Sequence, residues 1–413
     1  MIQAMSQPTG TSFTSADPDF REDPHPTYDR IRSAADLSII HDYDCRFVTQ
    51  HDAVRQGLKH KSFSVDARLA SPASYMRRIA GTGVKESIGD TAYEPPLVLL
   101  DDPAHRDIRT LVSKAFNPQT IEHMRPRVAQ ITTDLLEAME GQERIDFIAD
   151  FAGPLPTRVI LEMMGLPADL YPECKQWSEE ILWGYDPERG LDRQRRLRAA
   201  YLGMSEVFRS ALAQRQQTPG NDLISDLAQA QAADNGLTEL QIISLCTQLM
   251  VAGNVTTTDL IGNGVYHLAT HRDQLSWLKQ NLECIDGAVE EMLRYDCPIT
   301  ETARIAKEPD EFAGCPVQAG DTLTLSLSAA NHDPAVFERP HEFNLQRAPL
   351  NHLGFGSGIH VCLGAPLARM ESQIGIAQFV QRHPHFRLVH DQPPKRRALP
   401  FFRGFETLPL QLQ

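Results

Sequence analysis

From Ile242 to Ala252 the sequence reads IISLCTQLMVA, apolar on nearly every side of a helical wheel. A helix of that kind needs burial all round, in protein or in lipid. Lipid is excluded, because no run of about eighteen apolar residues occurs anywhere. The segment therefore belongs through the middle of a protein. Thr238 and Gln241 have capping-box spacing ahead of it. Apolar residues continue to about Ala269, which predicts a central helix roughly 45 Å long. Within it AGNVTTT, residues 252–258, interrupts the pattern: glycine and threonine are poor helix formers, and a threonine hydroxyl can bond the carbonyl four residues back and bend the helix, which reads as a tolerated kink in a core helix.

Short alternating strands are expected near residues 37–49 and 321–328, and helical patterns fill most of the rest. Residues 65–96 lack a period and are rich in Gly, Pro, Ala and Ser, which predicts a long loop, either a functional lid or disordered. The predicted class is mainly α with a small β region. No repeat or low-complexity linker divides the chain, so residues 16–413 are expected to form one large domain after a flexible segment 1–15. The formal charge of −14 repels phosphate backbones, and no basic stripe offsets it, so nucleic acid is not an expected partner. MIQAMSQPTGTSFTSADPDF is neither a signal peptide nor an anchor, which predicts a cytoplasmic, non-membrane protein.

The seven cysteines are scattered and never spaced CxxC or CxxCH, which argues against a disulfide scaffold, an ordinary zinc site or covalently attached haem. Cys362 differs from the others. It lies in HLGFGSGIHVCLGAPLAR, residues 352–369, among Gly354, Gly356, Gly358 and Gly364. Pro366 suits a first helical turn, so Cys362 is expected just before or at a helix start, where backbone N–H groups and the helix dipole favour a thiolate. Glycines let backbone approach a large flat group. A core cysteine would explain neither the glycines nor the helix start, and zinc would need more ligands than Cys362 and His360.

FGSGIHVCLG, Phe355 to Gly364, resembles the haem-ligand loop of the cytochromes P450, and four further segments are similar to that family's landmarks in the same order. The resemblance spans nearly the whole chain and implies the P450 fold, haem b and Cys362 as the iron ligand. Phe355, Gly356, Gly364 and Ala252 would lie against the haem. In EEMLR, Glu291 and Arg294 share a helix face; alone they would be a surface pair, and the resemblance makes them a buried structural pair. ANHDPAVFERPHEF matches the segment before the loop, but His332 and Glu342 stand where the family often has Arg, leaving the pair's third partner open. His105, Arg109, Arg304 and His360 match the family's propionate ligands, arginine's rigid fork being well suited to carboxylates.

In the AGNVTTT segment Ala252, Gly253 and Thr256 match the family's oxygen-side motif, with Thr256 as the catalytic hydroxyl. Val255 occupies the position of the proton-relaying acid. Asn254 or Glu301 could substitute, or the acid could be dispensable. The implied activity is insertion of one oxygen atom from O2 into a small or medium hydrophobic substrate. Ala252, Val255, Ile299, Thr300, Phe401 and Phe402 would line the pocket. The chain ends soon after LPLQLQ, so electrons would come from NAD(P)H through a separate ferredoxin and its reductase, docking near Arg106, Lys114 and Arg369 on a monomer, Arg369 being either partner-facing or structural. Arg77 and Arg78 could meet a carboxylate or be merely solvated. The alternatives are a peroxide-driven or non-redox haem-thiolate enzyme, and a non-catalytic haem or ligand binder.

Overall fold

The structure is a computed structural model that describes residues 17–33, 38–40, 45–82, 94–185, 191–232, 236–348 and 351–412. The expected flexible segment 1–15 lies outside them. The central helix runs from Glu239 to Thr270 behind a complete capping box: the Thr238 hydroxyl accepts the Gln241 N–H, and the Gln241 side chain accepts the Thr238 N–H. It packs against the helices Pro154–Met163, Tyr171–Leu182, Leu191–Gln217 and Ala365–Arg382. Leu245, Met250, Leu260, Ile261 and Val265 are all buried in that packing. Each contributes about 1.5–3 kcal/mol relative to exposure, so tertiary packing rather than helix propensity holds this element.

The AGNVTTT segment stays within the helix, as a kink tolerated in a core helix would. The helix continues through residues 252–258, and the predicted back-bonds form within it, from the Thr256 hydroxyl to the Ala252 carbonyl at 2.6 Å and from the Thr258 hydroxyl to the Asn254 carbonyl at 2.9 Å. Packing on four neighbours overrides the weak local preference.

The β region is small, as expected. Its main sheet has the strand order Ser38–Ile40, Cys45–Val48, Thr322–Ser326, Glu301–Ala306, Phe63–Ser64. Cys45–Val48 runs parallel to Thr322–Ser326, and the other pairs are antiparallel. The strand expected to reach residue 328 stops at Ser326, whose hydroxyl accepts the Ala329 N–H and caps the short helix Leu327–Ala330. The expected loop 65–96 is also corrected in part. It contains a turn at Ala67–Leu69 and a helix at Tyr75–Thr82, anchored by the Ser74–Thr322 hydroxyl contact at 2.7 Å, while 83–93 lie outside the described residues. Eight residues are too few to display a helical period. Among the described residues no helix is long and apolar enough to cross a membrane.

Candidate active site

The helix Ala365–Arg382 begins with Gly364 as its N-cap and Pro366 in its first turn, placing Cys362 just before the helix start. The Cys362 N–H donates to the Phe355 carbonyl at 2.9 Å and closes the loop. Gly356 and Gly358 have φ of 68° and 78°, left-handed values that favour glycine. A Cβ on Gly358 would also stand 2.7 Å from the Leu58 carbonyl oxygen. Of the seven cysteines only Cys362 is exposed. Desolvation pushes its thiol up, while the backbone N–H groups of Gly364 and Ala365 and the charges of Arg109 and Arg369 pull the other way.

Two ionic clamps hold this loop. Arg369 grips Glu290 with Nε and Nη2 at 2.6 and 2.8 Å, and its guanidinium lies 4.5 Å from the Phe355 ring centroid. His352 donates from Nε2 to Glu290 at 3.0 Å and accepts the Gly354 N–H on Nδ1 at 3.1 Å. Burial alone would raise the Glu290 carboxyl, but Arg369 and His352 hold it down at about 2. Of the two roles open to it, facing a partner or structural, Arg369 takes the structural one here, committed to the loop's own scaffold. Glu290 carried no signal in the sequence, because only the fold brings residues 79 positions apart into contact.

The second clamp is Glu291–Arg294, fully buried on the helix Ile285–Tyr295. Arg294 uses all five N–H donors: two on Glu291 at 2.7 and 2.8 Å, and three on the carbonyls of Asn331, Pro340 and Glu342. The open third position is filled by Arg347, whose Nε lies 3.3 Å from Glu291. Sequence reasoning missed it. The carbonyls of Glu338, Arg339 and Glu342 steer its guanidinium back to the pair.

The four expected carboxylate-binding side chains come together. The rings of His105 and His360 are 4.3 Å apart. Burial lowers His360 to about 3, and Arg304, His105 and Arg109 push the same way. Arg304 is buried and held by the Ala303 carbonyl at 2.8 Å; desolvation lowers it to about 10. Arg109 donates to the Val361 carbonyl at 2.7 Å, next to Cys362. His105 is buried with Nδ1 3.4 Å from Asp102, and neither ring nitrogen makes a hydrogen bond. A cluster of four basic side chains with unpartnered buried nitrogens suits a bound dianion.

On the central helix, Gln248, Ala252, Gly253 and Thr256 form a stripe that is not buried, in a segment otherwise buried. Val255 is 2% exposed and packed in the main apolar core, so it does not line an open pocket as expected. Position 255 borders the stripe, three residues on from 252, so it is the neighbouring apolar side chains rather than its place on the helix that cover it. Asn254 is also buried, its Nδ2 unpartnered, so it is not on the open stripe. Ile299, Thr300, Phe401 and Phe402 do meet: Ile299 bridges Phe402, and the Thr300 N–H donates to the Phe401 carbonyl at 2.9 Å. Phe401 sits edge-on to Tyr75 at 5.4 Å, a neighbour from the helix Tyr75–Thr82. Glu301 lines a small cavity beside Tyr28 and Arg397, and desolvation pushes its carboxyl up to about 8. Arg77 and Arg78 lie on the helix Tyr75–Thr82, Arg77 bonded to the Arg68 carbonyl and Arg78 5.8 Å from the Tyr75 ring.

An exposed cysteine at a helix start, a basic cluster for two carboxylates, open space beside Gly364 and an uncovered stripe on a buried helix all fit an iron porphyrin. The sequence model of the Cytochrome P450 family matches residues 188–409. The biotin biosynthesis cytochrome P450 of Bacillus subtilis is 33% identical over 402 residues, 97% of this chain and 99% of that one. The 6-deoxyerythronolide B hydroxylase of Saccharopolyspora erythraea is 34% identical over 398 residues, 95% of this chain and 97% of that one. The crystal structure of P450BioI with a hexadec-9Z-enoic acid ligated acyl carrier protein has a TM-score of 0.85 and 32% identity, covering 96% of this chain and 100% of that one. The chain belongs to the cytochrome P450 family. It is a haem b, haem-thiolate monooxygenase that works with O2, an organic substrate and a redox partner.

Proposed function

We propose that Cys362 supplies the thiolate that holds the haem iron, and that His105, Arg109, Arg304 and His360 bind its two propionates. Phe355, Gly356, Gly364 and Ala252 lie against the porphyrin. When bound, the haem activates O2 and transfers one oxygen atom, and thiolate ligation favours O–O cleavage. The chain's part is to fix, shield and supply protons. Glu290, Arg369 and His352 fix the cysteine loop, and Glu291, Arg294 and Arg347 fix the segment before it. Thr256 spends its donor on the Ala252 carbonyl, so its oxygen accepts a solvent hydrogen bond while the O–H stays back-bonded. Water held there, rather than an acid at 255, is the proton source on the open stripe.

Ile299, Thr300, Phe401 and Phe402, with Ala252 and Tyr75, form a mostly apolar substrate surface, so the substrate is a small or medium hydrophobic molecule. Related chains crystallised with myristic acid and with testosterone support that reading. Electrons come from NAD(P)H through a ferredoxin and its reductase, with exposed Arg106 and Lys114 near the docking face. The protein acts as a cytoplasmic monomer of one large domain, residues 16–413.

The observation that carries this reading is Cys362, the one exposed cysteine, set in a glycine loop at a helix start. The reduced holoenzyme under carbon monoxide is expected to give the absorption band of thiolate-ligated haem, and Cys362→Ser to abolish it. Steady product formation with ferredoxin, reductase and NAD(P)H is expected; activity only with peroxide, and none with that electron chain, would overturn the electron route.

A further inference from the structure

Away from the cysteine loop, three histidines from separate stretches meet: His25, His332 and His341, with one ring nitrogen of each within 4.8 Å of the others. His332, where the family often has arginine, is fully buried. Its Nε2 lies 2.8 Å from the Tyr295 carbonyl, which can only accept, so Nε2 carries the proton and Nδ1 a lone pair. His341 Nε2 lies 3.0 Å from a carboxylate oxygen of Asp29, so it too is the donor nitrogen. The two Nδ1 atoms then face each other at 3.3 Å. His25 stacks on His332 with ring centroids 3.8 Å apart, and its Nδ1 is buried without a partner.

Two facing lone pairs repel unless a proton or a metal ion lies between them. Two nitrogens each 2.0–2.1 Å from a tetrahedral zinc are about 3.3–3.4 Å apart, which is the separation of the two Nδ1 atoms. A carbonyl or carboxylate on the opposite ring nitrogen is the usual way that ligating histidines are oriented. A cavity of about 410 Å³ adjoins the cluster and is lined by Glu22, Asp23 and Asp29 as well as His25 and His341. Arg403 and Arg396 also border it, but they are paired with Asp296, Arg403 at 2.5 Å and Arg396 at 3.3 Å.

We propose that His25, His332 and His341 bind a divalent transition-metal ion of the zinc class, with water from the acidic cavity in the fourth position. His25 turns about its side-chain bonds to bring the widest pair together, a closure of at most about 1.5 Å from 4.8 Å. The ion staples the helix His25–Arg32 to the segment 331–341, whose carbonyls at Asn331 and Pro340 hold Arg294. The site is therefore structural and shares none of the residues assigned to the haem.

The test uses untagged holoenzyme, so that haem occupies Cys362, equilibrated with Zn2+ and passed through a desalting column. Elemental analysis should find about one zinc per chain, X-ray absorption should show three imidazole nitrogens at 2.0–2.1 Å, and zinc should raise the unfolding temperature. His25→Gln and His341→Gln sit at the cavity's edge and avoid disturbing buried His332; each should weaken zinc binding at least about tenfold, with haem content unchanged. A shared proton in place of the metal predicts no stoichiometric zinc. Substoichiometric zinc, or equal zinc in wild type and both variants, would overturn the site.

Discussion

Arg294→Lys keeps the charge beside Glu291 but replaces five donors in a planar fork by three on a point charge. Arg294 spends all five, on both Glu291 oxygens and on the carbonyls of Asn331, Pro340 and Glu342. At least two acceptors then lose their partner in a site that is 0% exposed. Each buried acceptor left unpaired costs about 1–3 kcal/mol. Glu342 also receives Arg347, which limits its loss. The expected destabilisation is about 2–5 kcal/mol. With an unfolding entropy near 2.1 cal/mol/K per residue, this corresponds to a fall of about 2–6 °C in Tm. The assay is thermal unfolding of the holoenzyme by circular dichroism, with the haem-to-protein absorbance ratio as a second readout. Haem retention should fall too, because those carbonyls lie in the segment leading to the cysteine loop. A Tm within 1 °C of wild type with undiminished haem would refute the argument that hydrogen-bond geometry, rather than charge, is what Arg294 supplies.

Three further outcomes follow from particular residues. Val255→Asp places an unpaired carboxylate in the apolar core rather than on the open stripe, so it should cost about 3–5 kcal/mol without improving product formed per NAD(P)H; better coupling at unchanged stability would contradict this placement. Glu301 is raised from 4.5 to about 8, so the folded state holds its proton longer than the unfolded state does, and its contribution to stability falls as pH rises from about 4.5 to 8. Glu301→Gln should therefore flatten that decline in urea midpoints, gaining on wild type toward pH 8 and matching it below 4.5. Gly358→Ala forces a side chain into a left-handed backbone and against the Leu58 carbonyl, an expected loss of about 1–3 kcal/mol read as faster haem release.

How much of the site was legible depended on whether its parts are local in the chain. The glycine spacing around Cys362, the Glu291–Arg294 helix face and the Thr238 capping box are short-range patterns, and each appears in the structure where the sequence placed it. Arg347 on Glu291, Glu290 under Arg369 and Tyr75 against Phe401 are pairings across 56, 79 and 326 positions, and nothing local announces them. Val255 shows the limit within a single motif. Its place in AGNVTTT is readable, but whether it is covered depends on what packs around the helix.

By itself the sequence determined a long buried helix, because a segment apolar all round has no stable place at the surface, and one special cysteine, because only a helix start set in glycine keeps a thiolate beside a flat cofactor. The tertiary structure decided whether AGNVTTT stayed helical and which arginine completes the buried pair. It also decided that Val255 lies in the core and that three distant histidines share one space. Those outcomes rest on packing and desolvation between segments far apart in the chain, and such contacts come into being only when the chain closes on itself.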